Sequence, residues 1–115
     1  MSGYLTNTAA NPENLNAIRE SIDAIDRQMA ALYEARLNCA TAVAHYKHVR
    51  HQPIFDAVRE KAVIDKNVSR LKNPEAYGHY YRAFLQHLMD QCKDLEAAVI
   101  AEMDAAEAGA YPRSE

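Results

Sequence analysis

Apolar residues in the first third of the chain fall alternately four and three apart: Ile18, Ile22, Ile25, Met29 and Leu32, then, past Arg36, Cys39 and Val43. That alternation is the a/d repeat of a helix packed along one seam. Asn11-Pro12 offers the start, an N-cap followed by proline at the first helical position. Neither proline nor glycine then occurs until Gln52-Pro53, so the helix is predicted to run to about Arg50. Nearly 40 residues at 1.5 Å each make roughly 58 Å. Globular helices usually run about 8–20 residues. A seam of this length asks for a partner chain to cover it.

Pro53 ends the first pattern. Asp56 is placed to cap a second helix from about Ala57 to Leu71, with apolar positions at Val58, Ala62 and Val63. Asn73-Pro74 repeats the stop and start. A third helix then carries Tyr77, Tyr81, Phe84, Leu88, Cys92, Leu95 and Val99, again at four/three spacing, and ends near Ala106. The prediction is an all-α fold, a long–short–long three-helix chain forming an intertwined helical homodimer. The helical domain covers 11–107, between a flexible lead at 1–10 and a flexible tail at 108–115.

Composition narrows the class. The chain has 115 residues, enough for one domain, with three glycines, four prolines and a formal charge of −3. A mildly acidic chain lacks the footprint of a nucleic-acid binder, so a bound anion must be gathered by a local basic cluster. No stretch reaches the roughly 18 apolar residues of a membrane span. The polar N-terminus lacks a basic region followed by an apolar core, which sets a cytoplasmic expectation. Cys39 and Cys92 fall on apolar helix faces and read as buried, reduced thiols.

Arg36 is the exception in the seam. A guanidinium taken from water needs a partner, and positions 39 and 40, one turn on, are Cys and Ala. Lys47 follows Arg36 by eleven residues. Three turns bring both to one face, roughly 16 Å apart along the axis, where two long side chains can hold a small anion between them. Arg19 lies roughly 26 Å before Arg36 and about 100° round the helix. It reaches the same site only from an antiparallel second chain. Arg59 and Glu60 lie in the first turns of the short helix, whose N–H groups favour anions or hydroxyls. Cys92 and Glu96 share a face one turn apart.

With those residues in place, the chain resembles the all-helical, bacterial-type chorismate mutases from about Leu15 to Val99. The resemblance rests on Leu15-x-x-Ile18-Arg19-x-x-Ile22-Asp23-x-x-Asp26, on Arg36 followed by Lys47, and on Pro53-Ile54-x-Asp56-x-x-Arg59-Glu60. It implies that Arg36 and Arg19 of a partner chain bind the two carboxylates of chorismate. It implies that Lys47 contacts a carboxylate and the ether oxygen of the breaking bond. Glu60, with the backbone near Asp56, would accept the ring hydroxyl, and Arg59 would border the site. Cys92 stands where the family often has serine. Glu96 stands where bacterial members usually have glutamine and fungal relatives glutamate.

The residue types suit that chemistry. A Claisen rearrangement of chorismate to prephenate needs no nucleophile, metal or cofactor. It needs a flexible dianion held in a reactive conformer and donors aimed at an oxygen that gains negative charge. On this reading Arg36, Lys47 and Glu96 are catalytic, and Arg19, Asp56, Arg59, Glu60 and Cys92 complete the substrate site. A protonated Glu96 donates to the ether oxygen, whereas an ionised one repels the developing charge. Alternatives within the fold are an isochorismate–pyruvate lyase or a 4-amino-4-deoxychorismate mutase. Outside it stands a non-catalytic helical dimer. The drifting spacing of His45, His48 and His51 argues against a metal site, and Tyr77, Tyr80 and Tyr81 read as packing and interface residues.

Overall fold

The structure is a computed structural model that describes residues 14–109. The described chain is three α-helices and no strand: α1, Leu15–Val49; α2, Ala57–Val68; α3, Pro74–Gly109. The expected lead at 1–10, the Asn11-Pro12 start and the residues beyond Gly109 lie outside the described residues. The described N-cap of α1 is Asn14, whose side chain accepts from Ala17 N at 3.0 Å.

The end of α1 is a Schellman turn. His51 N–H donates to His48 O at 3.2 Å and Gln52 N–H to Lys47 O at 2.9 Å. His51 occupies the left-handed region with φ 56°, the position where glycine is usual. The loop that follows is tied back to the helix by Lys47 Nζ, which donates to Ile54 O at 2.8 Å. Asp56 then caps α2 through its carboxylate, which accepts from Arg59 N at 3.0 Å.

α2 stops at Val68, three residues short of the predicted Leu71. Its last turn tightens instead: Arg70 N–H donates to Asn67 O and Leu71 N–H to Val68 O, both at 3.1 Å. Asn73 caps α3 by accepting from Ala76 N at 3.3 Å, with Pro74 in the first helical position. α3 continues to Gly109, past the predicted end near Ala106.

α3 is the spine. The second half of α1 and the whole of α2 pack against it around Ala40, Val63, Ile64, Val68, Leu85, Leu88, Met89 and Cys92. The first half of α1 finds no such cover. Ile22, Ile25 and Met29 are about half exposed and Leu32 is 69 % exposed. Tyr80 is exposed too, while Tyr81 packs on the core. The molecule measures 70 × 32 × 14 Å with a Cα radius of gyration of 19.9 Å. A compact domain of this length has about 13 Å. No described helix is long and apolar enough to cross a membrane.

Candidate active site

A pocket of about 510 Å³ opens where the three helices meet. α1 supplies Arg36, Cys39, Val43 and Lys47; the loop and α2 supply Ile54, Asp56, Arg59, Glu60 and Val63; α3 supplies Met89, Cys92, Lys93 and Glu96. The size suits a small molecule. Its walls are apolar between the charges, so each charge acts across a medium of lower polarity than water.

The cations are held in unequal ways. Arg36 donates to Cys92 Sγ at 3.3 Å. A thiol is a weak acceptor and a guanidinium carries five N–H donors, so most of that capacity stays open. Among the described residues no carboxylate pairs with Arg36 or with Arg59. Lys47 is fixed by the Ile54 carbonyl at 2.8 Å and stands 3.7 Å from Glu96 Oε1. Lys93 is the fourth cation, paired with Glu60 Oε2 at 3.1 Å.

Glu96 is the buried acid of the site, 8 % exposed. Its Oε1 is buried with no hydrogen-bond partner among the described residues. The 3.7 Å approach of Lys47 is a charge contact, too long for a hydrogen bond. Burial pushes the Glu96 carboxyl above its ordinary 4.5; Lys47 pulls it down and Glu60 adds a smaller upward push, with burial dominant.

Seven of the eight site residues singled out by sequence therefore border one pocket: Arg36, Lys47, Asp56, Arg59, Glu60, Cys92 and Glu96. Arg19 does not. It is exposed on the first half of α1, beside Asn16, Glu20, Asp23 and Arg27. Asp23 pairs with Arg27 one turn on, in keeping with a surface role. Cys92 is buried as expected, and it serves both the core and the pocket. Cys39 corrects the expectation of two buried thiols: it is exposed, because Ala40 and Ala44 form the line that faces inward and Cys39 lies one position round. Both thiols are free.

The sequence reading passed over Lys93, three residues before Glu96 and hence only about 60° round the same helix. His48 also has company. Its Nε2 lies 3.5 Å from Asp104 Oδ1 and 3.2 Å from Glu107 Oε2. The two carboxylates are largely exposed, and the contacts tie the end of α1 to the end of α3.

The family model for chorismate mutase type II matches residues 18–97. The chain belongs to the chorismate mutase type II family. The matched span runs from the first seam residue of α1 to one residue past Glu96, and so takes in every side chain of the pocket. Among curated relatives, the bifunctional chorismate mutase/prephenate dehydratase of Enterobacter agglomerans is 32 % identical over 81 residues, 70 % of this chain and 21 % of that protein. The protein of the same description from Escherichia coli (strain K12) is 27 % identical over 95 residues, 83 % of this chain and 24 % of that one. The chain thus spans less than a quarter of the length of these relatives. No solved structure matches it significantly.

Proposed function

We propose that this protein is a chorismate mutase, an isomerase that rearranges chorismate to prephenate by holding the dianion in a reactive shape and stabilising its transition state. One observation carries the reading: in a member of this family, two guanidiniums with no carboxylate partner among the described residues and a fixed ammonium converge on a pocket of about 510 Å³. Such a set suits a dicarboxylate. Arg36 takes one carboxylate through its open donors. The second falls to Arg19 of a partner chain, in a homodimer whose first helices run antiparallel. The exposed seam of Ile22, Ile25, Met29 and Leu32 supports that assembly. Covering the exposed part of each such side chain contributes about 1 kcal/mol. The reaction runs in the cytoplasm and belongs to aromatic amino acid synthesis.

The chemistry follows from where charge develops. As the ether bond breaks, its oxygen becomes negative. Lys47, already oriented by Ile54, points a donor into the pocket and stabilises that charge. Glu96 adds a second donor when protonated, which its burial favours. Glu60 accepts the ring hydroxyl, and Cys92 orients Arg36 through its sulfur.

Mixing purified protein with chorismate and following the loss of its absorbance tests the assignment. Turnover that falls by about 10²–10³ in Arg36→Ala, the loss typical of a transition-state donor, is the expected result. Absence of turnover in the wild type would return the chain to a non-catalytic helical dimer.

A further inference from the structure

Lys93 is anchored on three sides. Its ammonium lies 3.1 Å and 3.4 Å from the two oxygens of Glu60, 3.3 Å from Asp90 Oδ1 and 4.5 Å from the centroid of the Phe55 ring. A lysine head is usually a mobile, well-hydrated charge. Here an ion pair within its own helix, an ion pair to α2 and an aromatic face from the loop fix it. It borders the pocket described above and also a neighbouring groove of about 690 Å³, so it forms the wall between them.

The pairing changes what Glu60 can recognise. A carboxylate has about four lone-pair sites, so Glu60 can hold Lys93 and still accept a further hydrogen bond. The three donors of the Lys93 ammonium are directed at the two oxygens of Glu60 and at Asp90, with the Phe55 ring against it, so it meets a ligand as a fixed positive charge. The wall of the pocket therefore presents an acceptor and a positive charge side by side. A hydroxyl matches both, since it gives its proton to Glu60 and turns its oxygen, the negative end of its dipole, toward Lys93. A ring ammonium gives hydrogen bonds only. It would satisfy Glu60 but meet Lys93 with no lone pair and a like charge. Aliphatic amines are protonated at neutral pH, so this is the form an amino-substituted ring would bring.

We propose that Lys93 is a specificity-determining residue, whose fixed positive charge beside the Glu60 acceptor takes a hydroxyl on the substrate ring and rejects an ammonium at the same carbon. The inference rests on the chorismate mutase reading and deepens it, since it selects the hydroxy substrate over its 4-amino analogue. Discrimination here comes from a repulsive element as much as from an attractive one.

The test compares kcat/KM for chorismate and for 4-amino-4-deoxychorismate in the wild type, Lys93→Met, Lys93→Gln and Lys93→Arg. Methionine keeps most of the length of the side chain and removes the charge; glutamine is a second neutral variant should the first fold poorly. The wild type is expected to prefer chorismate. Both neutral variants should lower that preference by about tenfold or more, while arginine retains it. A purely structural Lys93 would depress both substrates alike. A preference unmoved in the neutral variants of an active enzyme therefore overturns this inference and leaves the mutase assignment standing. So does a wild type that favours the amino substrate. A wild type that turns over neither compound overturns the mutase assignment first, and this inference with it.

Discussion

Glu96 carries the sharpest consequence at the scale of one residue. Its carboxyl is buried, faces Lys47 at 3.7 Å and feels Glu60 as a like charge. Because its pKa is raised above 4.5, the protonated, donating form survives to higher pH than in an ordinary glutamate, and it is lost as pH rises through the raised value. A bound dianion pushes in the same direction. The kcat of the wild type should therefore fall as pH rises through that raised value, and that of Glu96→Gln should stay flat across the same rise. A flat wild-type profile that the variant reproduces would remove Glu96 from the chemistry. Arg36 and Lys47 were open to inference from sequence because the helical period brings both to one face, and Glu60 and Glu96 because they stand at positions of the family pattern. Lys93 was not. It stands off the apolar line, and its partner Glu60 is 33 positions away on another helix, a pairing no period encodes.

At the scale of elements, helix ends set the site. Lys47, the third residue from the end of α1, reaches its position because the Schellman turn brings Ile54 back beneath it. Asp56 fixes the entry of α2, so Arg59 and Glu60 emerge at its first turn. The proline and Asp or Asn signals foretold α2, α3 and the close of α1, but not their ends to the residue. Asn14 caps α1 in the described structure, and α2 closes early because its last carbonyls take tight turn bonds ahead of Asn73-Pro74. His51 is the residue held against its preference, at φ 56°. His51→Gly should stabilise the protein by about 1 kcal/mol, since glycine enters the left-handed region freely. The urea midpoint at equal protein concentration is the readout. An unchanged or lower midpoint would mean that the imidazole contributes more than its backbone conformation costs.

At the scale of the whole molecule, the sequence spoke through length. A proline-free run with an apolar seam implied a helix too long for its own chain to cover, and the exposed first half of α1 bears that out. The isolated chain leaves Arg19 outside the pocket, which makes the proposed two-chain site open to a decisive mixing experiment. Arg19→Ala and Arg36→Ala should each be nearly inactive. Refolded together, they should recover about a quarter of wild-type activity: half the dimers are mixed, and each mixed dimer keeps one of its two sites intact. No recovery, with dimers present by mass, would place both arginines of a site in the same chain.

The molecule is only 14 Å thick, little more than one helix with its side chains. A plate of this kind has almost no interior of its own. In the proposed dimer, amide protection in the first half of α1 comes from the helix alone until the second chain lies against it. In hydrogen exchange the amides of that segment should lose protection first as the protein is diluted, while those of α3 facing α2 hold longer. Its slowest-exchanging protons would thus count the assembled molecules in solution.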